Sequence, residues 1–175
     1  EKGIADANAS ATASREAALT PELRAKRDAA LAEPAPAKPQ QMNEESPEGA
    51  ASSVRYFLEL YRYAFMTGNT TELAAMSEDR CVFCKSVIDR ANDLHKDGGW
   101  SNKWEQDITN IRYYKKLEGY NYNLVHVHIN YGEMTWCHPG KEPETAEPIE
   151  GQEIKFGIHY VNGRWMVGEG EVISK

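Results

Sequence analysis

Residues 120–131 read YNYNLVHVHINY, a stretch in which polar and apolar side chains alternate along the chain. Alternation with a period of two is typical of a β-strand whose two faces meet different surroundings. Val125, Val127 and Ile129 share one face, because successive side chains of a strand point to opposite sides, and we expect that face to line the core. The opposite face carries a mixed set of side chains: Tyr122, Leu124, His126 and His128.

The side-chain pattern changes near Gly99. Before it, apolar residues recur every three or four positions, and this pattern predicts helices over residues 47–67, 70–76 and 81–95. After it the period is two, and further strands are predicted over residues 107–116, 133–137, 150–160 and 164–173, with Asn162-Gly163 marking a hairpin. Three helices followed by a long antiparallel sheet predict an α+β domain whose helices cover one face of the sheet.

The N-terminal part of the chain differs in composition from the rest. No aromatic residue precedes Tyr56, and residues 33–41 read EPAPAKPQQ, whose prolines exclude a helix there. A helix over residues 21–32 would be transient, because leucine supplies its only large apolar side chains. We therefore expect a disordered Ala- and Pro-rich linker over residues 1–46, followed by a folded domain over residues 47–175.

The charge pattern excludes some classes of partner. The formal net charge is −7, and no block of basic residues stands out, so neither a nucleic-acid-binding surface nor attraction to anionic lipid is expected. No apolar run approaches the roughly 18 residues that a membrane-spanning helix needs. The chain begins with Glu1 rather than Met, and we interpret it as a processed product whose signal peptide or lipid-bearing residue lies outside it.

A series of short motifs runs through the predicted helices and ends just after them. It comprises Pro47-Glu48-Gly49-Ala50, Val54-Arg55-Tyr56-Phe57, Thr67-Gly68-Asn69-Thr70, Leu73, Met76-Ser77, Cys81-Val82-Phe83-Cys84 and Gly99-Trp100. These motifs resemble a family of actinobacterial lipoproteins of unknown function, and the resemblance extends over residues 46–175.

The resemblance implies a nuclear-transport-factor-2-like domain, a cone in which a curved antiparallel sheet wraps around a long helix. The same superfamily contains ketosteroid isomerase, scytalone dehydratase and many binding domains without catalytic activity. Lipoproteins of the family carry lipid on a cysteine after the signal peptide, and a disordered linker follows. The resemblance therefore implies an extracytoplasmic protein that is held at the cell membrane by a lipid anchor outside this chain, and it implies no particular activity.

The first candidate site is the pair Cys81-x-x-Cys84. In an exported protein this spacing favours a local disulfide, whereas free thiols, a redox pair or half of a zinc site are the alternatives. A thioredoxin-like redox motif follows a strand, but helices are predicted before this one. Cys137-His138 could complete a zinc site, although the spacing matches no standard zinc finger. Otherwise Cys137 is a buried or a free thiol.

The second candidate site is His126-x-His128. Histidines two positions apart on a strand point to the same side, where imidazoles can hold zinc or copper. His159 is expected on the outer side of the next long strand, so the three imidazoles could converge. The alternative is an outer sheet face that is solvated or covered by a partner.

The interior of the expected cone is the third candidate. Enzymes of the superfamily place an aspartate base beside a tyrosine or histidine donor, and Asp107, at the start of the first predicted strand, is the acid that fits this role. Tyrosines and tryptophans are numerous enough to line a cavity, but a buried tyrosine is common in any core. No Ser-His-Asp set, phosphate-binding loop or HExxH motif is recognisable.

We accordingly favour a non-catalytic domain that binds a small ligand in the cone or an envelope protein on the outer sheet face, without a cofactor. The candidate ligand or partner surface comprises Tyr122, Leu124, His126, His128, His159 and Trp165. One alternative is a small-molecule isomerase or dehydratase of the ketosteroid isomerase type that uses Asp107. The other is a metal-binding domain that uses His126 and His128.

Overall fold

The computed structural model describes residues 1–173 and contains helices followed by antiparallel strands, which confirms the predicted α+β class. The helices are α1 (Lys2–Ala18), α2 (Pro21–Leu31), a 3-10 helix (Gln40–Asn43), α3 (Pro47–Thr67), α4 (Thr71–Ala75) and α5 (Val82–His95). The strands are β1 (Trp100–Ser101), β2 (Gln106–Tyr114), β3 (Asn123–Tyr131), β4 (Met134–Cys137), β5 (Glu144–Ala146), β6 (Ile149–Val161) and β7 (Arg164–Ile173). The end of the domain expected over residues 47–175 lies outside the described residues. No helix within residues 1–173 is both long and apolar enough to cross a bilayer.

Helix α3 forms the centre of the core. It is capped by Ser46, whose Oγ accepts a hydrogen bond from the Gly49 N–H at 3.0 Å. It ends at Gly68, which adopts the left-handed conformation with a φ of 79°. Its buried face packs against the sheet, where the rings of Phe57 and Phe156 meet edge to face with their centroids 5.7 Å apart.

The strands form two antiparallel sheets, in the orders β2-β3-β6-β7 and β1-β4-β5. In β3, Val125, Val127 and Ile129 are fully buried, as the alternation of side chains predicted. Strands β6 and β7 form a hairpin whose turn residues Asn162 and Gly163 have positive φ values of 51° and 78°. The expected single sheet is divided, because β4 pairs with β1 and β5 instead of joining the larger sheet.

The connection between α4 and α5 covers part of the free edge of β7. Val167 donates its backbone N–H to the Met76 carbonyl at 2.8 Å and accepts the Glu78 N–H at 2.9 Å. The Cys81–Cys84 disulfide follows this connection directly, which confirms the favoured interpretation of the pair. Because the two sulfurs are bonded to each other, neither is a free thiol or a zinc ligand in this structure.

The first part of the N-terminal segment differs from the disordered linker expected over residues 1–46. Helices α1 and α2 occupy much of it, and an ion pair between Arg27 and Glu16 joins them. Ala30, near the end of α2, is fully buried beside Trp104 and Met66. Residues 1–173 therefore contain five α-helices before the strands, where we expected three.

The second part of this segment also packs on the domain. Met42 is only 5% exposed and belongs to the main core. The Trp165 Nε1–H donates to the Glu44 carbonyl at 2.8 Å, and the Tyr160 hydroxyl donates to the Asn43 carbonyl at 2.7 Å. The prediction was wrong here because it looked for a core within the segment itself. Isolated apolar side chains of the segment, such as Met42, are instead buried against aromatic residues of the folded domain that follows.

Candidate functional site

Two cavities, here called the aromatic cavities, lie between α3, α5 and the strands. They share a wall made by Tyr61, Arg90, Trp104 and Met134. The larger has a volume of about 380 Å³ and is further lined by Phe65, Asp93, Leu94, Ser101, Thr135, Trp136, His138 and Ala146. The smaller has a volume of about 260 Å³ and is further lined by Leu58, Phe83, Val87, Tyr131, Gln152 and Ile154.

The walls of the aromatic cavities also carry polar groups. The indole N–H of Trp104 is buried and has no hydrogen-bond partner among residues 1–173. Burial raises the pKa of both Tyr61 and Tyr131, so their hydroxyls stay neutral and can donate hydrogen bonds at physiological pH. The exposed guanidinium of Arg90 lies 5.8 Å from the centre of the Phe65 ring and brings a positive charge to the entrance.

Asp107 lies outside the aromatic cavities. It is exposed on β2 and lines a separate surface groove together with Arg55 and Glu59 of α3. The prediction of Asp107 as a catalytic base is therefore wrong. The neighbouring Ile108 packs against the core, so Asp107 points to the opposite side of the strand.

Trp165 was predicted to contribute to an exposed surface, and this prediction is also wrong. The side chain is 3% exposed and packs edge to face against Tyr113 and Tyr160. Because Val167 is buried two positions later, Trp165 must share its inward face in a regular strand. The tryptophan thus belongs to the core and to the docking site of the N-terminal segment.

His126 and His128 lie half-buried on the sheet face opposite the buried valines of β3, with their ring centroids 5.0 Å apart. Glu153 of β6 is paired with His128 in the register, and its Oε2 lies 3.1 Å from the Nε2 of His126. One ligand atom from each of the three residues lies within 4.8 Å of the other two. Alternation around Ile154 could have placed Glu153 on this face, but the sequence contained no information on its register with His128.

No pattern in the sequence marked Glu78 as a site residue, yet it contacts two residues of the predicted surface, Tyr122 and His159. Its carboxylate accepts a hydrogen bond from the Tyr122 hydroxyl at 2.6 Å. It also lies 2.7 Å from Nδ1 of His159, a contact that is not aligned as a hydrogen bond and that we regard as electrostatic. Burial, and then the bond to Glu78, raise the pKa of Tyr122. His159 is held here, away from His126, so the three imidazoles do not converge.

Tyr122 and Leu124 line an open groove of about 890 Å³ between the start of α5 and strands β6 and β7. Gly157, Gly168 and Gly170 form its floor, and a methyl group at Gly168 would overlap the ring of Tyr122. The rim carries the exposed apolar side chains of Val82 and Tyr120, together with charged groups from Arg80, Lys155, Glu169 and Glu171. This groove is more polar and more open than the aromatic cavities.

Residues 26–171 match the profile of a family of unknown function (DUF6318). The chain belongs to this family. The match begins inside α2, so the DUF6318 region includes part of the segment that we had expected to be a linker. The comparison with curated proteins gave no match.

Among solved structures, the DUF6318 chain is similar to the crystal structure of the intermembrane space region of chloroplast protein ARC6. The identity is 12%, the TM-score is 0.43, and the alignment covers 71% of this chain and 97% of that chain. A likeness of this size carries no argument about function.

Proposed function

We propose that this DUF6318 domain binds a small ligand in the aromatic cavities and does not transform it. The observation that carries the proposal is the indole N–H of Trp104, which is buried without a partner at the wall shared by both cavities. A buried donor without an acceptor costs about 1–3 kcal/mol. The N–H itself has less than 1 Å² of accessible surface, so a ligand would recover this free energy by displacing a side chain of the wall and bringing an acceptor to the indole.

The cavity walls indicate the chemical class of the ligand. Phe65, Tyr61 and Trp136 offer aromatic surface, and the volume of about 380 Å³ falls in the range of roughly 300–1,000 Å³ that is usual for ligand pockets. Arg90 at the entrance favours an anionic or strongly polar end. The ligand we propose is therefore a flat apolar molecule with a hydrogen-bond acceptor or an acidic group.

The isomerase or dehydratase alternative has less support. General base catalysis needs a carboxylate beside the donor hydroxyls, and Asp107 lies elsewhere. Asp93 lines the larger cavity, but its side chain is exposed to solvent. Binding without chemistry requires only the apolar walls and the donors that are in place.

The proposal can be tested with 1-anilinonaphthalene-8-sulfonate, whose fluorescence rises in apolar surroundings and whose sulfonate is an acceptor. We expect saturable binding that Trp104→Phe weakens about 10-fold, because a buried hydrogen bond to a charged group is lost. Arg90→Gln should weaken it less, since the guanidinium is exposed.

Lys85→Gln is the matched control for Arg90→Gln. Lys85 is an exposed cation on the same helix, paired with Asp89 and outside the cavity walls. It should leave the affinity unchanged, while circular dichroism confirms that every variant is folded. Equal affinities of wild type, Trp104→Phe and Arg90→Gln would refute binding in the aromatic cavities.

We also propose a location outside the cytoplasm, a lipid anchor outside this chain and the cone-like arrangement of nuclear-transport-factor-2-like domains. The Cys81–Cys84 disulfide supports export, because disulfides persist in oxidising compartments. The packing of α3 and α5 on one face of the larger sheet supports the cone. Fractionation of cells that produce the full-length precursor would test the location, and recovery in the cytosol would contradict it.

A further inference from the structure

His126, His128 and Glu153 form a cluster on the solvent side of the larger sheet, on the face opposite the hydrophobic core. Two neutral imidazoles and one carboxylate are the donors that divalent transition metals commonly take from proteins. Within residues 1–173 this is the one group of three such side chains close enough to share an ion. It does not overlap the lining of the aromatic cavities.

The geometry of the cluster is close to that of a metal site. Metal–ligand bonds of about 2.1 Å place the ligand atoms of a tetrahedral site about 3.4 Å apart. The separation of 3.1 Å between His126 Nε2 and Glu153 Oε2 already approaches this value. The wider separations in the cluster, up to 4.8 Å, can close by rotation of the imidazole rings, because the χ2 torsion of histidine is soft.

The backbone holds the three residues in fixed relative positions. His126 and His128 project from one strand, and the ladder between β3 and β6 places Glu153 directly beside His128. All three side chains are only partly buried, so water can fill the remaining coordination positions. A site of this kind is open, as in metal centres that keep a position for a water or another ligand.

Two cations border the cluster and work against metal binding. The register pairs His126 with Arg112 of β2 on one side and with Lys155 of β6 on the other. Lys155 is in turn paired with Glu171 of β7, which offsets part of its charge. Arg112 is exposed and its long side chain can turn into solvent, where its repulsion of a metal ion is screened.

We infer that His126, His128 and Glu153 bind a divalent transition metal ion on the outer face of the sheet, at a site separate from the ligand-binding cavities. Zinc is the ion with which the inference is tested, since it accepts both imidazole nitrogen and carboxylate oxygen in a four-coordinate site.

The test is isothermal titration of the full chain with zinc chloride in a buffer that does not chelate metal, with equilibrium dialysis as an independent measure of stoichiometry. We expect one zinc ion per chain. His126→Ala and His128→Ala should each weaken binding at least about 10-fold, and Glu153→Gln, which preserves the shape of the side chain, should weaken it by a similar factor. Arg112→Gln should strengthen binding, because it removes a neighbouring positive charge.

His138→Ala is the matched control, because His138 is a partly buried histidine outside the cluster that lines the larger aromatic cavity and the cavity beside the free thiol of Cys137. It should bind zinc as wild type does. Imidazole nitrogen–proton correlation spectra should show His126 and His128 shifting on addition of zinc while His159 stays in place. The inference is overturned if wild type binds no zinc, if the cluster variants bind as wild type does, or if His138→Ala is the variant that loses binding.

Discussion

The substitution Met42→Ala tests whether the N-terminal segment packs on the domain or is disordered. In the structure Met42 is 5% exposed and packs among the residues of the main core. Replacing a buried methionine by alanine costs about 2–5 kcal/mol. We take the lower end, about 2 kcal/mol, because the 3-10 helix over Gln40–Asn43 is short and can relax into the space. For a chain of this size the expected fall in Tm is about 4–8 °C.

Urea unfolding followed by tryptophan fluorescence measures the free energy of unfolding, and an unchanged slope shows that the transition keeps its cooperativity. Trp165, which donates to the Glu44 carbonyl, reports directly on the docking of the segment. Ile4→Ala is the control, because Ile4 is 69% exposed and its loss should change stability by less than about 0.5 kcal/mol. If Met42→Ala is as harmless as Ile4→Ala, the segment does not pack on the domain and the reasoning fails.

Two further perturbations test the surface and the unpaired cysteine. Gly168→Ala should destabilise the chain by about 1–3 kcal/mol, because the new methyl group overlaps the ring of Tyr122, and Tyr122→Ala in the same chain should relieve most of that cost. Additive losses in this double-mutant cycle would contradict the contact. Burial, and then the charge of Glu142, raise the pKa of Cys137, so its thiolate fraction near pH 8 is below that of a free cysteine. Alkylation by iodoacetamide should be slower for Cys137 than for N-acetylcysteine at the same pH, and equal rates would count against this burial.

The features that could be predicted from the sequence are those set by a few residues adjacent in the chain. The cap at Ser46, the left-handed Gly68 and the hairpin at Asn162-Gly163 are each set by one or two side chains, and all three are found in the structure. The alternation in β3 placed its valines in the core, where partly buried apolar residues of β2 and buried ones of β6 pack beside them. These features depend on backbone preferences that tertiary contacts reinforce.

Features that depend on distant parts of the chain could not be predicted. Ala30 and Met42 are weak signals on their own, and they become core residues only because Trp104 and the strands supply a surface for them. Asp107 and Trp165 were misplaced because alternation groups the side chains of a strand by face but does not tell which face the rest of the chain covers. To predict the pairing of Glu153 with His128, the register between β3 and β6 would have to be known. To predict the contact of Glu78 with Tyr122, the path of the connection between α4 and α5 would have to be known.

The backbone bonds between Val167 and residues Met76 and Glu78 bear on self-association. An unpaired sheet margin can recruit a strand from another molecule, and this is a common start of aggregation. At Val167 such recruitment would first have to displace a connection that the neighbouring Cys81–Cys84 staple restrains. A reducing agent would break the disulfide and make this connection easier to displace. We therefore expect slow self-association through β7 to begin first in samples that contain a thiol reductant.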